Sequence, residues 1–188
     1  MKHFRRIFSD LDVAPALAQL DAHPELWGQH PERINAPNSP HAQSQDIWLR
    51  FRPKSELHEP ADYGAPHFAC FWPAWHVLTA LHATTFDVMH MMRATYLGGC
   101  LITRIPAGKQ ILPHVDRGWH PEHNETKCYV IIKANNGCIN YCEDESVVMR
   151  PGECWQFRND ITHSVWNRGD TDRIAMILTM HVERQPNA

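Results

Sequence analysis

Apolar residues in the middle of the chain recur at the three- and four-residue spacing of a helix. The longest such set contains Trp75, Leu78, Leu81, Phe86, Met89 and Met92. We therefore predict a principal helix over 73–97, ended by Gly98 and Gly99.

The segment before this helix has weaker patterns. A short helix is predicted over 14–22, where Ser9 and Asp12 have the spacing of a capping box and the proline after His23 stops the helix. The region 28–66 is rich in Pro, Asn, Ser and His, which predicts mostly loop. Its apolar run at 47–51 predicts one strand.

The pattern changes after Gly99. Short segments rich in Val, Ile, Tyr and Trp then alternate with turn clusters such as Pro151-Gly152. Strands are predicted over 100–105, 111–114, 127–134, 138–142, 146–149, 154–157, 163–167 and 173–181. Short strands in such a series are typical of a sandwich or jelly-roll barrel.

These patterns predict a mainly β fold with N-terminal helices. A length of 188 residues fits one domain, 1–188, able to bury a full core without disulfides. Within it, we expect a helical and loop part, 1–99, to flank a barrel core, 100–182.

Composition narrows the possible classes of function. The net charge is −3, so no broad basic face for nucleic acid is expected. No apolar run approaches the roughly 20 residues of a membrane helix. Asp10 and Asp12 interrupt a start that otherwise resembles a secretion signal, so we expect a cytoplasmic protein in which all six cysteines are free thiols.

Metal-ligand residue types cluster around His114. His114 and Asp116 are two residues apart on an extended segment, and such side chains project from the same face. His163 lies in a strand-like context 47 residues after Asp116. Two histidines and one carboxylate bind iron(II) and leave positions open for a co-substrate and oxygen. A His-x-Asp tripeptide alone is weak support, because a hydrogen-bonded structural pair has the same sequence.

Arg173 strengthens the metal hypothesis. It follows His163 by ten residues and begins the apolar strand that runs to Met180. A buried arginine needs an anionic partner, and its planar fork of donors matches a carboxylate bidentately. An arginine inside the barrel beside a metal therefore suits the distal carboxylate of 2-oxoglutarate.

With these motifs in order, the chain resembles the aspartyl/asparaginyl β-hydroxylase family of 2-oxoglutarate dioxygenases over about 101–182. The matching motifs are Pro113-His114, the segment Asn136 to Cys142, Pro151-Gly152-Glu153, and His163 to Asn167 followed by Arg173. The resemblance implies a double-stranded β-helix, which is a cupin-like jelly-roll barrel. It also implies iron(II) and 2-oxoglutarate as cofactor and co-substrate, for hydroxylation of a C–H bond.

The resemblance implies further site residues. A hydroxyl residue eleven positions before the first metal histidine assists the arginine in this family, and that position is Thr103 here, where an ordinary strand residue is the alternative. Some members carry glycine in place of Asp116. Basic residues that face the co-substrate in those members align with Thr126 and Cys128.

The substrate implied is an aspartyl or asparaginyl residue, a free amino acid or a small peptide-like molecule. Because this sequence has no tetratricopeptide-like partner domain, a small substrate is slightly favoured. Candidate substrate contacts are Arg117, Trp119 and His120 in the loop after the metal motif, with Arg50 approaching from the side. The alternatives are a cupin-type metal enzyme that does not use 2-oxoglutarate and a non-catalytic ligand-binding barrel.

Overall fold

A computed structural model describes residues 1–183, apart from the side chain of Pro60. The strands are β1 Phe4–Phe8, β2 Gln45–Phe51, β3 Cys70–Phe71, β4 Ala94–Ile105, β5 Gln110–His114, β6 Thr126–Lys133, β7 Cys138–Cys142, β8 Glu145–Val148, β9 Cys154–Phe157, β10 His163–Asn167 and β11 Arg173–Val182. The α-helices are α1 Ala14–Ala22, α2 Glu32–Asn35, α3 Pro73–Val77, α4 Leu81–Met92 and α5 Trp119–His123.

The strands form two antiparallel sheets. The large sheet has the order β1-β9-β6-β11-β4-β2-β3, and the small sheet has the order β5-β10-β7-β8. Side chains of the two sheets meet in one buried cluster that includes Leu101, Tyr129 and Ile177 of the large sheet and Cys142 of the small one. This arrangement confirms the predicted mainly β jelly-roll fold.

The large sheet is covered on both faces. Alternate residues of β6 and β11, among them Val130 and Met176, pack against Leu20 of α1 and Leu81 of α4 in a second cluster. Their neighbours in sequence face the small sheet, because successive side chains of a strand point to opposite sides. Both central strands are therefore buried along nearly their whole length, as expected for a sheet covered on both faces.

The predicted principal helix is wrong in its extent. The chain forms α3 and α4. Helix α4 ends at Met92 and is capped by Arg93, whose backbone is left-handed with φ of 54°. Tyr96 and Leu97 already belong to β4, where they pair with β11. The two glycines at 98 and 99 lie inside this strand, so they do not end a helix.

The predicted short helix over 14–22 is confirmed, but its capping box is not. The Ser9 hydroxyl donates to Asp10. The Asp12 carboxylate accepts from the backbone of Ala14, and Val13 is the N-cap. The predicted strand over 47–51 is confirmed within β2.

Strand β1 was not predicted. It pairs with β9, a partner about 150 residues away, through Phe4 opposite Phe157. All six cysteines are free thiols, as predicted. Within residues 1–183 no helix has the length and apolar character needed to cross a membrane. The predicted domain extends to residue 188, and its last five residues lie outside the described range.

Candidate metal centre and its cavity

The small sheet brings the two predicted metal histidines together. β5 and β10 pair antiparallel with His163 directly opposite His114, and their ring centroids are 4.3 Å apart. Asp116 follows β5 by two residues and turns back towards both rings. One ligand atom of each of the three residues lies within 4.8 Å of the others.

Backbone contacts fix which nitrogen of each histidine faces its partners. Nδ1 of His114 lies 2.8 Å from the carbonyl oxygen of Leu112, and Nδ1 of His163 lies 2.9 Å from that of Ile161. A carbonyl only accepts, so each Nδ1 carries a proton, and in the neutral ring Nε2 keeps its lone pair. Both Nε2 atoms are buried and have no hydrogen-bond partner among the described residues.

The carboxylate of Asp116 is held through one of its two oxygens. Oδ2 accepts from the ammonium of Lys127 at 2.6 Å and from the side-chain amide of Asn159 at 3.2 Å. The backbone N–H of Asp116 donates to the carbonyl of Asn159 at 3.0 Å. Oδ1 remains, 3.4 Å from Nε2 of His114 and 3.8 Å from Nε2 of His163.

Protonation states in the site suit a divalent metal. Burial opposes ionisation of Asp116, but the charge of Lys127 and the contact with His114 hold the pKa of Asp116 well below its ordinary value. Burial, reinforced by the charge of Lys127, lowers the pKa of His163 to about 4. The site thus offers an imidazole lone pair and a carboxylate near neutral pH, the state a metal requires of its ligands. Two imidazole nitrogens and one carboxylate oxygen fit iron(II).

Arg173 lies deeper in the barrel. From the bottom towards the mouth, the inner-face residues of β11 are Arg173, Ala175, Ile177 and Thr179, and those opposite on β4 are Ile105, Thr103, Leu101 and Gly99. Thr179 also faces Lys127, so Lys127 and Asp116 lie at the mouth. The guanidinium of Arg173 donates to Asn140 at 3.1 Å. Asn140 and Cys142 are successive inner-face residues of β7, and Cys142 pairs with His163 of β10.

Arg173 is a buried cation without a carboxylate partner. It is 1% exposed, and its guanidinium carbon lies 5.1 Å from the ring centroid of Tyr129. Burial lowers its pKa. Among residues 1–183 no carboxylate lies within ion-pair distance of it. A buried charge without a partner is costly, so this position favours an anionic ligand.

A cavity of about 400 Å³ opens above the metal centre. Asp116 and Lys127 lie on its inner side, and an aromatic wall is formed by Trp48, Phe51 and Tyr63. The indole N–H of Trp48 is buried and has no acceptor among the described residues. The cavity can therefore hold a molecule with both apolar and polar groups.

Comparison with known proteins identifies the family. The sequence profile of the aspartyl/asparaginyl beta-hydroxylases matches residues 75–184, more than half of the chain. The chain belongs to this family. It is accordingly a 2-oxoglutarate- and iron(II)-dependent dioxygenase. No curated protein sequence matches it significantly.

Several solved structures share the fold. An oxidoreductase of the 2OG-Fe(II) oxygenase family from Burkholderia pseudomallei is 14% identical, with a TM-score of 0.57 over 95% of this chain and 84% of that one. The 2OG complex of the collagen prolyl hydroxylase of Paramecium Bursaria Chlorella virus-1 is 12% identical, with a TM-score of 0.56 over 96% and 97%. A Pseudomonas putida prolyl-4-hydroxylase is 14% identical, with a TM-score of 0.54 over 96% and 92%.

The structure places the four predicted substrate-contact residues in different surroundings. Arg117 and His120 line the cavity above the metal centre. Trp119 lines a neighbouring pocket of about 770 Å³ with His67. Arg50 lies at neither: its guanidinium covers the ring of Phe71, and its Nε donates to the carbonyl of Leu97. Arg50 is therefore not brought to the metal cavity.

Thr103 lies on the inner face of β4, opposite Ala175. Ala175 is the next inner-face residue of β11 after Arg173. The hydroxyl of Thr103 donates to Asp46 at 2.8 Å, and Asp46 is paired with Arg33. The hydroxyl oxygen can still accept, so its predicted role beside Arg173 stays a prediction.

The sequence alignment places Thr126 and Cys128 at the positions of the inward-facing basic residues. These positions are one residue out of step with the inner face of β6. Cys128 packs in the cluster beneath the helices. The residue between these two positions, Lys127, faces the cavity and holds Asp116. Asn159 was also missed, because its only sequence signal is an amide in a loop.

Proposed function

We propose that His114, Asp116 and His163 bind the iron(II) ion and that Arg173 binds the distal carboxylate of 2-oxoglutarate. The observation that carries the proposal is the pair of buried, unpartnered Nε2 atoms directed at Oδ1 of Asp116. Leaving two such acceptors without a donor is unfavourable unless a ligand binds them. A divalent metal satisfies both at once.

The protein's own residues supply binding and exclusion of water. Arg173 presents its fork from the bottom of the barrel, and Asn140 orients it. Leu101 and Ile177 form an apolar stretch between Arg173 and the mouth. Bound iron, 2-oxoglutarate and oxygen supply the chemistry of oxidative decarboxylation and C–H hydroxylation.

The proposed substrate is an aspartyl or asparaginyl residue, a free amino acid or a small peptide-like molecule. Arg117 and His120 are proposed to contact it, because both line the cavity next to Asp116. Arg117 is exposed and makes no ion pair within residues 1–183, so it is available to a substrate carboxylate. Trp119 is proposed only as a contact for a substrate long enough to reach the neighbouring pocket.

An anaerobic titration tests the assignment of Arg173. Iron(II) and 2-oxoglutarate are added to the protein, and the weak visible charge-transfer band of a chelated keto acid is recorded. We expect Arg173→Met to raise the 2-oxoglutarate concentration needed for half-saturation by about 100-fold, which corresponds to ~2.7 kcal/mol. Arg104→Met is the matched control, because Arg104 lies on β4 opposite Ile174, the residue after Arg173, and its guanidinium stacks on Trp27 outside the barrel.

Further outcomes of this experiment are informative. His163→Ala should abolish the band, and a panel of amino acids and short peptides should reveal succinate formation stimulated by one class of substrate. An Arg173→Met protein that titrates like the wild type would show that Arg173 does not bind the distal carboxylate of 2-oxoglutarate. A colourless wild-type mixture would show that His114, Asp116 and His163 do not bind iron(II) together with the keto acid.

A further inference from the structure

Lys127 is a buried cation that contacts a proposed metal ligand. It is 7% exposed, and its ammonium lies 2.6 Å from Oδ2 of Asp116 and 5.7 Å from the ring centroid of Phe157. In the part of the chain that the structure describes, Asp116 is its single hydrogen-bond and ion-pair partner. Lys127 belongs to the large sheet, whereas Asp116 follows a strand of the small sheet, so the pair joins the two sheets.

Asn159 also holds the carboxylate of Asp116, but its side chain is uncharged. It is 4% exposed, and its side-chain amide donates to the same Oδ2. Both donors therefore engage one oxygen and leave the other for the imidazoles. The orientation of the carboxylate has two supports, but its charge has only one compensating partner among the described residues.

We propose that Lys127 is a resident counter-ion of Asp116, a positioning residue that preserves the site without metal and keeps the metal weakly held and exchangeable. The inference rests on the proposed assignment of Asp116, His114 and His163 as metal ligands.

Electrostatics predicts the direction in which Lys127 changes the stability of the metal-free protein and the affinity for the metal. Without metal, an ionised buried carboxylate that lost its cation would be uncompensated, which is strongly destabilising. With metal, the ammonium and the divalent ion repel each other across one carboxylate, which weakens metal binding. Removal of the ammonium should therefore destabilise the metal-free protein and tighten metal binding.

The test measures binding of manganese(II), a redox-stable ion that accepts the same ligands, by electron paramagnetic resonance of the free ion. For Lys127→Met, we expect the dissociation constant to fall about tenfold or more, and the melting temperature of the metal-free protein to fall. The rise in melting temperature on saturation with manganese(II) should exceed that of the wild type. Lys133→Met is the matched control, because Lys133 lies at the other end of β6, opposite Ile174.

Further variants separate the charge of Lys127 from the orientation of the Asp116 carboxylate. Lys127→Gln keeps a hydrogen-bond donor without the charge, so it should also bind manganese(II) more tightly, and it carries the test if Lys127→Met does not fold. Asn159→Ala keeps the charge and loses orientation, so it should bind the ion no more tightly than the wild type. Manganese(II) binding by Lys127→Gln that equals or is weaker than that of the wild type would overturn the inference.

One control tests the underlying assignment separately. His163→Ala should lose manganese(II) binding in both the wild-type and the Lys127→Gln background. If it does not, the proposed metal ligands are wrong. If it does and Lys127→Gln leaves the affinity unchanged, only the role of Lys127 is wrong.

Discussion

His120 lies at the cavity edge in a surrounding that opposes its protonation. Its ring stacks on that of His67 with centroids 5.5 Å apart, and its Nε2 lies 2.8 Å from the hydroxyl of Thr179. Burial, together with the charges of His67 and Lys127, lowers the pKa of His120 to about 4. The imidazole is therefore neutral in the folded protein at neutral pH.

We predict that His120 makes stability depend on pH between about 6.5 and 4. The unfolded chain binds a proton near pH 6.5, whereas the folded one does so near 4, so the contribution is present above pH 6.5 and is lost as the pH falls to 4. The slope from this one group is at most ~1.4 kcal/mol per pH unit. Urea unfolding at pH 7 and pH 5 in the presence of a chelator should show a smaller loss for His120→Gln than for the wild type.

Other buried histidines contribute with the same sign, so only the difference between proteins is diagnostic. Burial also lowers the pKa of His41 and His67. His76→Gln is the control, since His76 is exposed on α3. Equal losses of stability in the wild type and His120→Gln would show that the surroundings of His120 do not oppose its charge.

Local chemistry allowed the sequence to predict the proposed ligands but not their supports. His114 ends one predicted strand, Asp116 lies just beyond it, and Arg173 begins another, so turn signals and residue type locate all three. Lys127 is different, because residues 126–132 of β6 are all buried and give no alternation from which to derive the inward face. Its direction is set by pairing with β11 and β9, which is a tertiary effect.

At the scale of elements, the junction of β4 with α5 depends on a close approach. A Cβ at Gly98 would lie 2.0 Å from Oδ1 of Asn124. Asn124 is 2% exposed and follows α5, where its side-chain amide donates to the carbonyl of His120. The glycine thus lets the helix that carries His120 pack against the strand.

We predict that Gly98→Ala lowers the free energy of unfolding by about 1–3 kcal/mol, because the methyl group displaces a buried, hydrogen-bonded amide. Urea unfolding measures this change. Gly64→Ala is the matched control, since a Cβ there meets nothing within 4 Å. If Gly98→Ala were as stable as Gly64→Ala, the packing of Asn124 against the strand would not constrain the position.

The strands of the second half were predicted more accurately than the central helix. β7, β9 and β10 have the predicted bounds, because turn residues delimit each of them. The helical spacing of apolar residues ends at Met92, yet the next apolar residues continue the run without a break. Pairing of Tyr96 with His181 draws them into β4, and a local pattern contains no signal of a partner 85 residues away.

At the scale of the molecule, the N-terminal part and the barrel share a core. β2 pairs with β4, and β4 itself runs across the predicted boundary at residue 99. Leu20 and Leu81 from the helices pack with Val130 and Met176 from the sheet. We therefore propose that the chain unfolds as one cooperative domain.

The last prediction follows from that shared core and the proposed metal site. Leu81, 2% exposed, belongs to α4 and lies in the helix-facing core, not in the cavity wall. Leu81→Ala should lower stability by about 2–5 kcal/mol. Because unfolding is cooperative, the urea transition should shift equally by far-ultraviolet circular dichroism and tryptophan fluorescence. Manganese(II) at 100 times its dissociation constant should restore about 2.7 kcal/mol by binding only the folded state. Separate transitions, with manganese(II) moving only one of them, would mean that residues 1–99 and the barrel fold as independent units.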